Sequence, residues 1–330
     1  MQLARFWRWA IVTGAALALA ACSHKADKGG LCDGAPSATT CLTDHYLLGY
    51  QAAPIDLCKS ASTAKVHATK EIGFFLGPGV IDLEAQTAGR RLQRYYEAYA
   101  LSFYVRHEAG SVAFQYLLSG TEDAVRARAK ELGVNPDKQT TQEEADKFER
   151  VVGEVLAKNL RDTIVSRGTA VDDRIDIVVV DGIVDPAVQK IVAGEGVILG
   201  MGLSPKLFRE ILAADPTADY FSFYGIPRDF TPVFFVGQDD VRRLTPDQGD
   251  AIMAHEMGHA LGLVHVEEQE NLMFPVAGTV PCTPGLSDAQ VLELARGSTP
   301  GDARPTSEVP TLARITKAYA AGLRKQMRRH

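Results

Sequence analysis

No C-x-x-C pair occurs in the 330 residues, and cysteine is scarce, with five in all. A zinc ribbon or dithiol redox centre of that spacing is therefore excluded. Basic residues are not in excess: 35 Lys and Arg stand against 41 Asp and Glu, for a formal charge of −6. That balance argues against a nucleic-acid partner, which needs a basic face. The one basic cluster, Arg324, Lys325, Arg328 and Arg329, reads as a solvated helix end. No internal repeat and no low-complexity run interrupts the chain, which is long enough to bury a substantial core in one or two domains. No acid precedes Asp27, and the apolar run there, Ile11 to Ala21, is too short for a membrane span.

Against this background eleven residues stand out, H-E-M-G-H-A-L-G-L-V-H from His255 to His265. His255 and His259 are four apart, so on a helix both imidazoles lie on one face and can reach one ion. Glu256 follows the first histidine, where its carboxylate can meet a water on the metal instead of the metal itself. Gly262 tolerates a left-handed backbone, so the helix can end there and the chain can turn sharply. The turn would bring His265 round as a third ligand, leaving a fourth position open, as a catalytic zinc site requires. The bland alternative is a core helix with buried, hydrogen-bonded histidines; five fixed positions with a shared mechanism weigh against it.

Eight residues beyond His265 lies Met273, in N-L-M-F-P. With this addition the segment resembles the metzincin clan of zinc endopeptidases, whose long histidine motif is followed by a tight turn with a methionine beneath the metal. The short gap between third histidine and methionine is most similar to the matrixin branch. The resemblance implies one Zn²⁺ per chain on His255, His259 and His265, Glu256 as general base, Met273 as the Met-turn residue, and a peptide or protein substrate. It also implies an α+β domain (an α/β-type sandwich) with a twisted mixed sheet, an active-site helix and a small C-terminal subdomain after that helix. Close resemblance covers only 255–275. Matrixins carry a tyrosine two residues after the proline of the Met-turn; here Ala277 stands there, so no side-chain preference carries over. Their zinc-blocking cysteine motif has only a faint echo in L-C-D-G-A-P, Leu31 to Pro36. Two rival readings stay open: a lipid-anchored binding or scaffold protein with a structural zinc, and a zinc hydrolase of non-protein amides. A purely structural site would need no Glu256.

The N-terminus reads as an export signal, with Arg5 and Arg8 before the apolar run. It ends L-A-A-C, which resembles the bacterial lipobox. That resemblance implies cleavage before Cys22, lipid on Cys22, and a bacterial membrane as partner; the alternative is an ordinary signal peptide. Several acyl chains would anchor stably, at ~0.8 kcal/mol per buried methylene. Ser23, in place of an aspartate, suggests outer-membrane sorting in the cell envelope, facing periplasm or exterior. Cys32, Cys41, Cys58 and Cys282 then form an even set in an oxidising compartment. Three connectivities are possible; the closeness of Cys32 and Cys41 favours that pair, leaving Cys58 with Cys282.

The chain divides into a signal (1–21), a tether and Cys-containing segment (22–68), a helical extension (69–109), a catalytic domain (110–296) and a helical tail (297–330). Helices are expected over Gln86–His107, with Tyr95, Tyr96, Tyr99 and Phe103 packed on one side, and over Thr121–Leu132 and Gln142–Val165. Strands are expected over Val112–Leu118, Arg174–Val180, Gly196–Leu203 and Thr231–Val236. The glycines of Gly196–Leu203 suit either an edge that pairs with an extended peptide or close packing in the core. Ser204 should cap a short helix, Asp247 should begin the metal helix, and Ser287 with Gln290 should form a capping box over Leu286–Leu294.

Overall fold

The structure is a computed structural model, and it describes residues 55–80, 92–105, 110–167, 174–192, 198–214, 216, 219–241, 246–275, 282–296 and 311–327. Within these lie strands β1 (Ala68–Leu76), β2 (Leu101–Val105), β3 (Gly110–Ser111), β4 (Tyr116–Leu118), β5 (Arg174–Val180), β6 (Gly182–Val184), β7 (Gly200–Leu203) and β8 (Val233–Gly237). The main sheet runs β2-β1-β5-β8-β7, with β3 also paired to β1, while β4 and β6 form a small parallel pair. All neighbours in the main sheet are parallel except β7, which runs antiparallel to β8. The expected mixed sheet is thus present, with the histidine-bearing helix Pro246–Ala260 alongside it.

Parallel strands covered on both faces read as continuous apolar runs, and β5, R-I-D-I-V-V-V, is buried from Ile175 onward. Side chains alternate along a strand, so each strand feeds two cores. Ile175, Ile177 and Val179 of β5 and Phe234 and Val236 of β8 join the core that holds the metal helix, Pro246–Ala260. Val178, Val180, Val233 and Phe235 face the other core, against helices Gln142–Leu156, Lys158–Ser166 and Thr311–Met327.

Three expectations need correction. Residues 69–109 are not a helical extension outside the main sheet. β1 sits between β2 and β5, in register with β5 from Glu71↔Arg174 to Leu76↔Val179. A partner about a hundred residues away leaves no local signature, and Lys70, Glu71 and Gly73 interrupt the apolar run of β1. Within Gln86–His107, residues 92–97 are helical; the chain then turns through Ala100, at φ 54°, and Leu101–Val105 is strand. The cluster of aromatics hid that change of period, because Phe103 is buried from the strand. Finally, Gln142–Val165 is two helices broken at Ala157 (φ −85°, ψ 8°).

Smaller differences concern lengths. Strand pairing in Val112–Leu118 is confined to Tyr116–Leu118, and the expected Thr231–Val236 strand spans Val233–Gly237. The Gly196–Leu203 strand spans Gly200–Leu203, with 193–197 outside the described residues. The tail is helical over Thr311–Met327 and is built into the second core through Leu312, Ile315, Tyr319, Leu323 and Met327. Tyr319 donates its hydroxyl to the Gly120 carbonyl at 2.9 Å. Gly322 lets this helix meet residue 191 closely, since a Cβ there would fall 2.2 Å from Ile191 Cγ2.

Candidate metal centre

The metal helix starts with Pro246 at its first turn, where a missing N–H costs nothing. It ends in a two-bond turn of the Schellman type. Leu263 N–H donates to the Gly258 carbonyl at 2.8 Å and Gly262 N–H to that of His259 at 3.0 Å, with Gly262 at φ +93°. The glycine is required there by its backbone conformation. The turn sends the chain back so that His265 faces the two histidines of the helix.

The three Nε2 atoms converge: His255 to His259 3.1 Å, His259 to His265 3.1 Å, His255 to His265 3.2 Å. The opposite nitrogens fix the tautomers. His255 Nδ1 lies 2.6 Å from the Leu272 carbonyl and His259 Nδ1 2.8 Å from that of Leu263. A carbonyl only accepts, so Nδ1 carries the proton and Nε2 presents a lone pair. Burial lowers His255 to about 4, helped by neighbouring His265; burial and then Arg314 lower His265 to about 4; burial and the other two rings hold His259 well below its usual value. At neutral pH the centre is therefore three neutral imidazoles whose Nε2 atoms meet at one point, with His255 and His259 aiming lone pairs at it. Such a set repels itself unless a cation lies between. The spacing fits zinc, because a tetrahedral site with Zn–N of ~2.0–2.1 Å has donor edges of about 3.3 Å. Among the described residues this is the cluster of metal-type donors found, and Glu256 is not part of it.

Glu256 is held by β7. Gly202 N–H donates to its Oε2 at 2.7 Å. Closely surrounded by protein though partly accessible, its carboxyl is raised by burial to about 7, against the lowering effect of that N–H. The glycines of β7 serve this packing: a Cβ on Gly202 would lie 1.9 Å from the Glu256 carbonyl oxygen, and one on Gly200 2.5 Å from Glu256 Cγ. Of the two readings of these glycines, close packing is the one the contacts describe. β7 nonetheless ends the sheet path.

Met273 is fully buried, and a Cβ on Gly258 would fall 2.5 Å from its sulfur. Its side chain thus lies against the helix between the turns bearing His255 and His259. Asn271 shapes this turn, accepting the Met273 N–H at 2.9 Å and donating to Gln290 Oε1 at 2.8 Å. Gln290 also accepts the Ser287 N–H while Ser287 Oγ accepts that of Gln290, the reciprocal cap expected. Ser204 caps its helix by accepting Leu207 N–H at 3.1 Å.

Cys58 and Cys282 form a disulfide, Cα to Cα 5.1 Å. Cys22, Cys32, Cys41, Val276 and Ala277 lie outside the described residues. Residue types gave no hint of the backbone groups that orient the site, the carbonyls of Leu263 and Leu272 and the N–H of Gly202. Nor did they reveal Tyr96, whose buried hydroxyl donates to the Ala254 carbonyl at 2.8 Å and braces the metal helix.

Histidine convergence, Schellman turn and methionine turn together define a metzincin-like metal centre. The matrixin family pattern matches residues 246–288, from the start of the metal helix to the first residue of the helix Asp288–Arg296. No curated protein sequence matches the chain significantly. Among solved structures, it is similar to metalloproteinase-II from Bacteroides fragilis, with 13% identity, 77% of this chain and 60% of that one covered, and a TM-score of 0.34. The chain spans about 60% of the length of that metalloproteinase.

Proposed function

We propose that this protein is a zinc-dependent endopeptidase that carries one zinc on His255, His259 and His265. The observation that carries the reading is the convergence of three neutral imidazoles at 3.1–3.2 Å, beside a carboxylate that is not one of the ligands. Zinc bound there supplies Lewis acidity, which polarises a scissile carbonyl and acidifies water. Glu256 accepts the proton of the attacking water and passes it to the leaving amine. Gly202 N–H keeps the carboxylate turned toward β7, and an extended substrate adds its main chain along the same edge of the sheet.

The anchoring proposal rests on L-A-A-C alone: Cys22 carries lipid and holds the enzyme in the bacterial cell envelope, sorted to the outer membrane by Ser23. No described helix is long and apolar enough to cross a membrane.

The test is cleavage profiling of a broad peptide library with the chain from residue 23 onward, before and after zinc removal by a chelator and after zinc is restored. Cleavage that disappears and returns with zinc supports the reading. Full zinc occupancy with no cleavage of any peptide would transfer the centre to a structural role or to non-protein amides.

A further inference from the structure

We propose that the Cys58–Cys282 disulfide positions His255, so that the metal affinity of the histidine centre depends on the redox state of this pair. The inference rests on the metal-binding reading above. It starts from the loop 282–286, which is clamped from two sides. On one side runs the segment 57–62. Cys58 N–H donates to the Thr283 carbonyl at 2.9 Å and Ser62 N–H to that of Leu286 at 2.8 Å. On the other side runs the methionine turn. Leu272 N–H donates to the Gly285 carbonyl at 2.7 Å and Gly285 N–H to that of Glu270 at 3.0 Å. Gly285 has no room for a side chain, since a Cβ would fall 2.2 Å from Ala61 Cβ. The Leu272 that bonds to this loop is the residue whose carbonyl orients His255. From the disulfide to a ligand ring there are thus only the short loop, one backbone hydrogen bond and one residue.

His259 is oriented differently. Its carbonyl partner, Leu263, belongs to the turn that ends its own helix. Slackening of the 282–286 loop therefore acts on one ligand of the three. Two tyrosines add to the clamp: Tyr95 donates to the Pro284 carbonyl at 2.6 Å, and Tyr99 Oη accepts the Leu286 N–H at 2.7 Å. Cys58 is 3% exposed, whereas Cys282 is half-buried. A dithiol breaks the S–S bond by giving up two electrons and two protons and becomes a disulfide itself; a phosphine gives the two electrons, and water supplies the oxygen of the phosphine oxide and the two protons of the thiols. Partners that fix ligand orientation are worth ~10–100-fold in metal affinity.

The experiment titrates zinc alone into the chain from residue 23 onward, in competition with a chromogenic chelator. Oxidised protein, phosphine-reduced protein and the Cys58→Ser/Cys282→Ser double variant are compared, with folding followed by circular dichroism. Reduction is expected to weaken zinc binding by ~10–100-fold, and the double variant should match the reduced protein and ignore the phosphine. Imidazole ¹⁵N resonances should show the loss at His255 Nδ1 and not at His259 Nδ1. Should the double variant fail to fold, Tyr95→Phe slackens the same loop with the disulfide intact and should weaken zinc several-fold. Unchanged affinity with the Cys58 and Cys282 thiols counted as free, or equal loss at all three histidines, overturns the proposal. An oxidised protein that binds no zinc refutes the metal-centre reading beneath it.

Discussion

Replacing Glu256 with glutamine should have two opposite effects, loss of activity and gain of stability in the metal-free protein. The amide keeps an oxygen that can accept the Gly202 N–H, now at 2.7 Å from Oε2, so the contact with β7 survives. It cannot take a proton from water, and turnover should fall by ~10²–10⁴. Stability follows from where the carboxyl sits. Burial raises it to about 7 from an ordinary 4.5. A group raised on folding binds more protons in the native state between those two values, so its stability contribution is complete below 4.5 and is lost as pH climbs through 7. That shift corresponds to a cost of up to ~3 kcal/mol in holding the ionised form in place. Glutamine never carries this cost. Chelator-treated Glu256→Gln protein should therefore unfold at higher temperature than wild type at pH 8, by up to ~5 °C, and the two should coincide near pH 4.5. Bound zinc opposes the difference by favouring the carboxylate. Calorimetry at the two pH values, kcat/KM on one cleaved peptide and zinc content complete the set. A metal-free variant no more stable than wild type at pH 8 would refute the buried placement of the carboxylate. Near-normal turnover with zinc retained would remove Glu256 from the mechanism.

The histidines predict an acid limit. Because His255 and His265 are lowered to about 4 from an ordinary 6.5, they stabilise the fold fully above 6.5, and that contribution is lost as pH falls through 4; urea titrations of metal-free protein should show it, and His255→Gln should shrink it. Met273→Ala empties the space against Gly258 and should cost about 2–5 kcal/mol, read by denaturant unfolding; a cost below 1 kcal/mol would mean that the turn collapses freely onto the helix. Cys22→Ser should release the protein from membranes or block its maturation, and mass spectrometry of an unlipidated mature N-terminus in the wild type would end the anchoring proposal.

The histidine set, the glutamate and the methionine turn were legible because their spacing acts within twenty residues. Gly262 marks a left-handed turn, and helical geometry then places His255 and His259 together. β5 was legible because the β-branched run Ile177 to Val180, set off from Ile175 by Asp176 alone, has few other uses. What escaped depends on distance along the chain. β1 is stabilised by β5 and β2, and its own Lys70 and Glu71 disguise it. The helix Thr311–Met327 carries ordinary apolar periodicity, which cannot reveal that it seals a core against Gly120 and Ile191. Ligand orientation escaped for a different reason, since backbone carbonyls are present at every residue and only the fold selects two of them.

The bridge between Cys58 and Cys282 joins positions 224 residues apart and so closes most of the polypeptide into a covalent ring. A ring cut once is still one molecule. A single nick anywhere between the two cysteines leaves every fragment attached, and leaves the segment before Cys58 joined to the metal centre. Shedding from an N-terminal anchor would then take a cut upstream of Cys58, or a cut inside the ring followed by reduction.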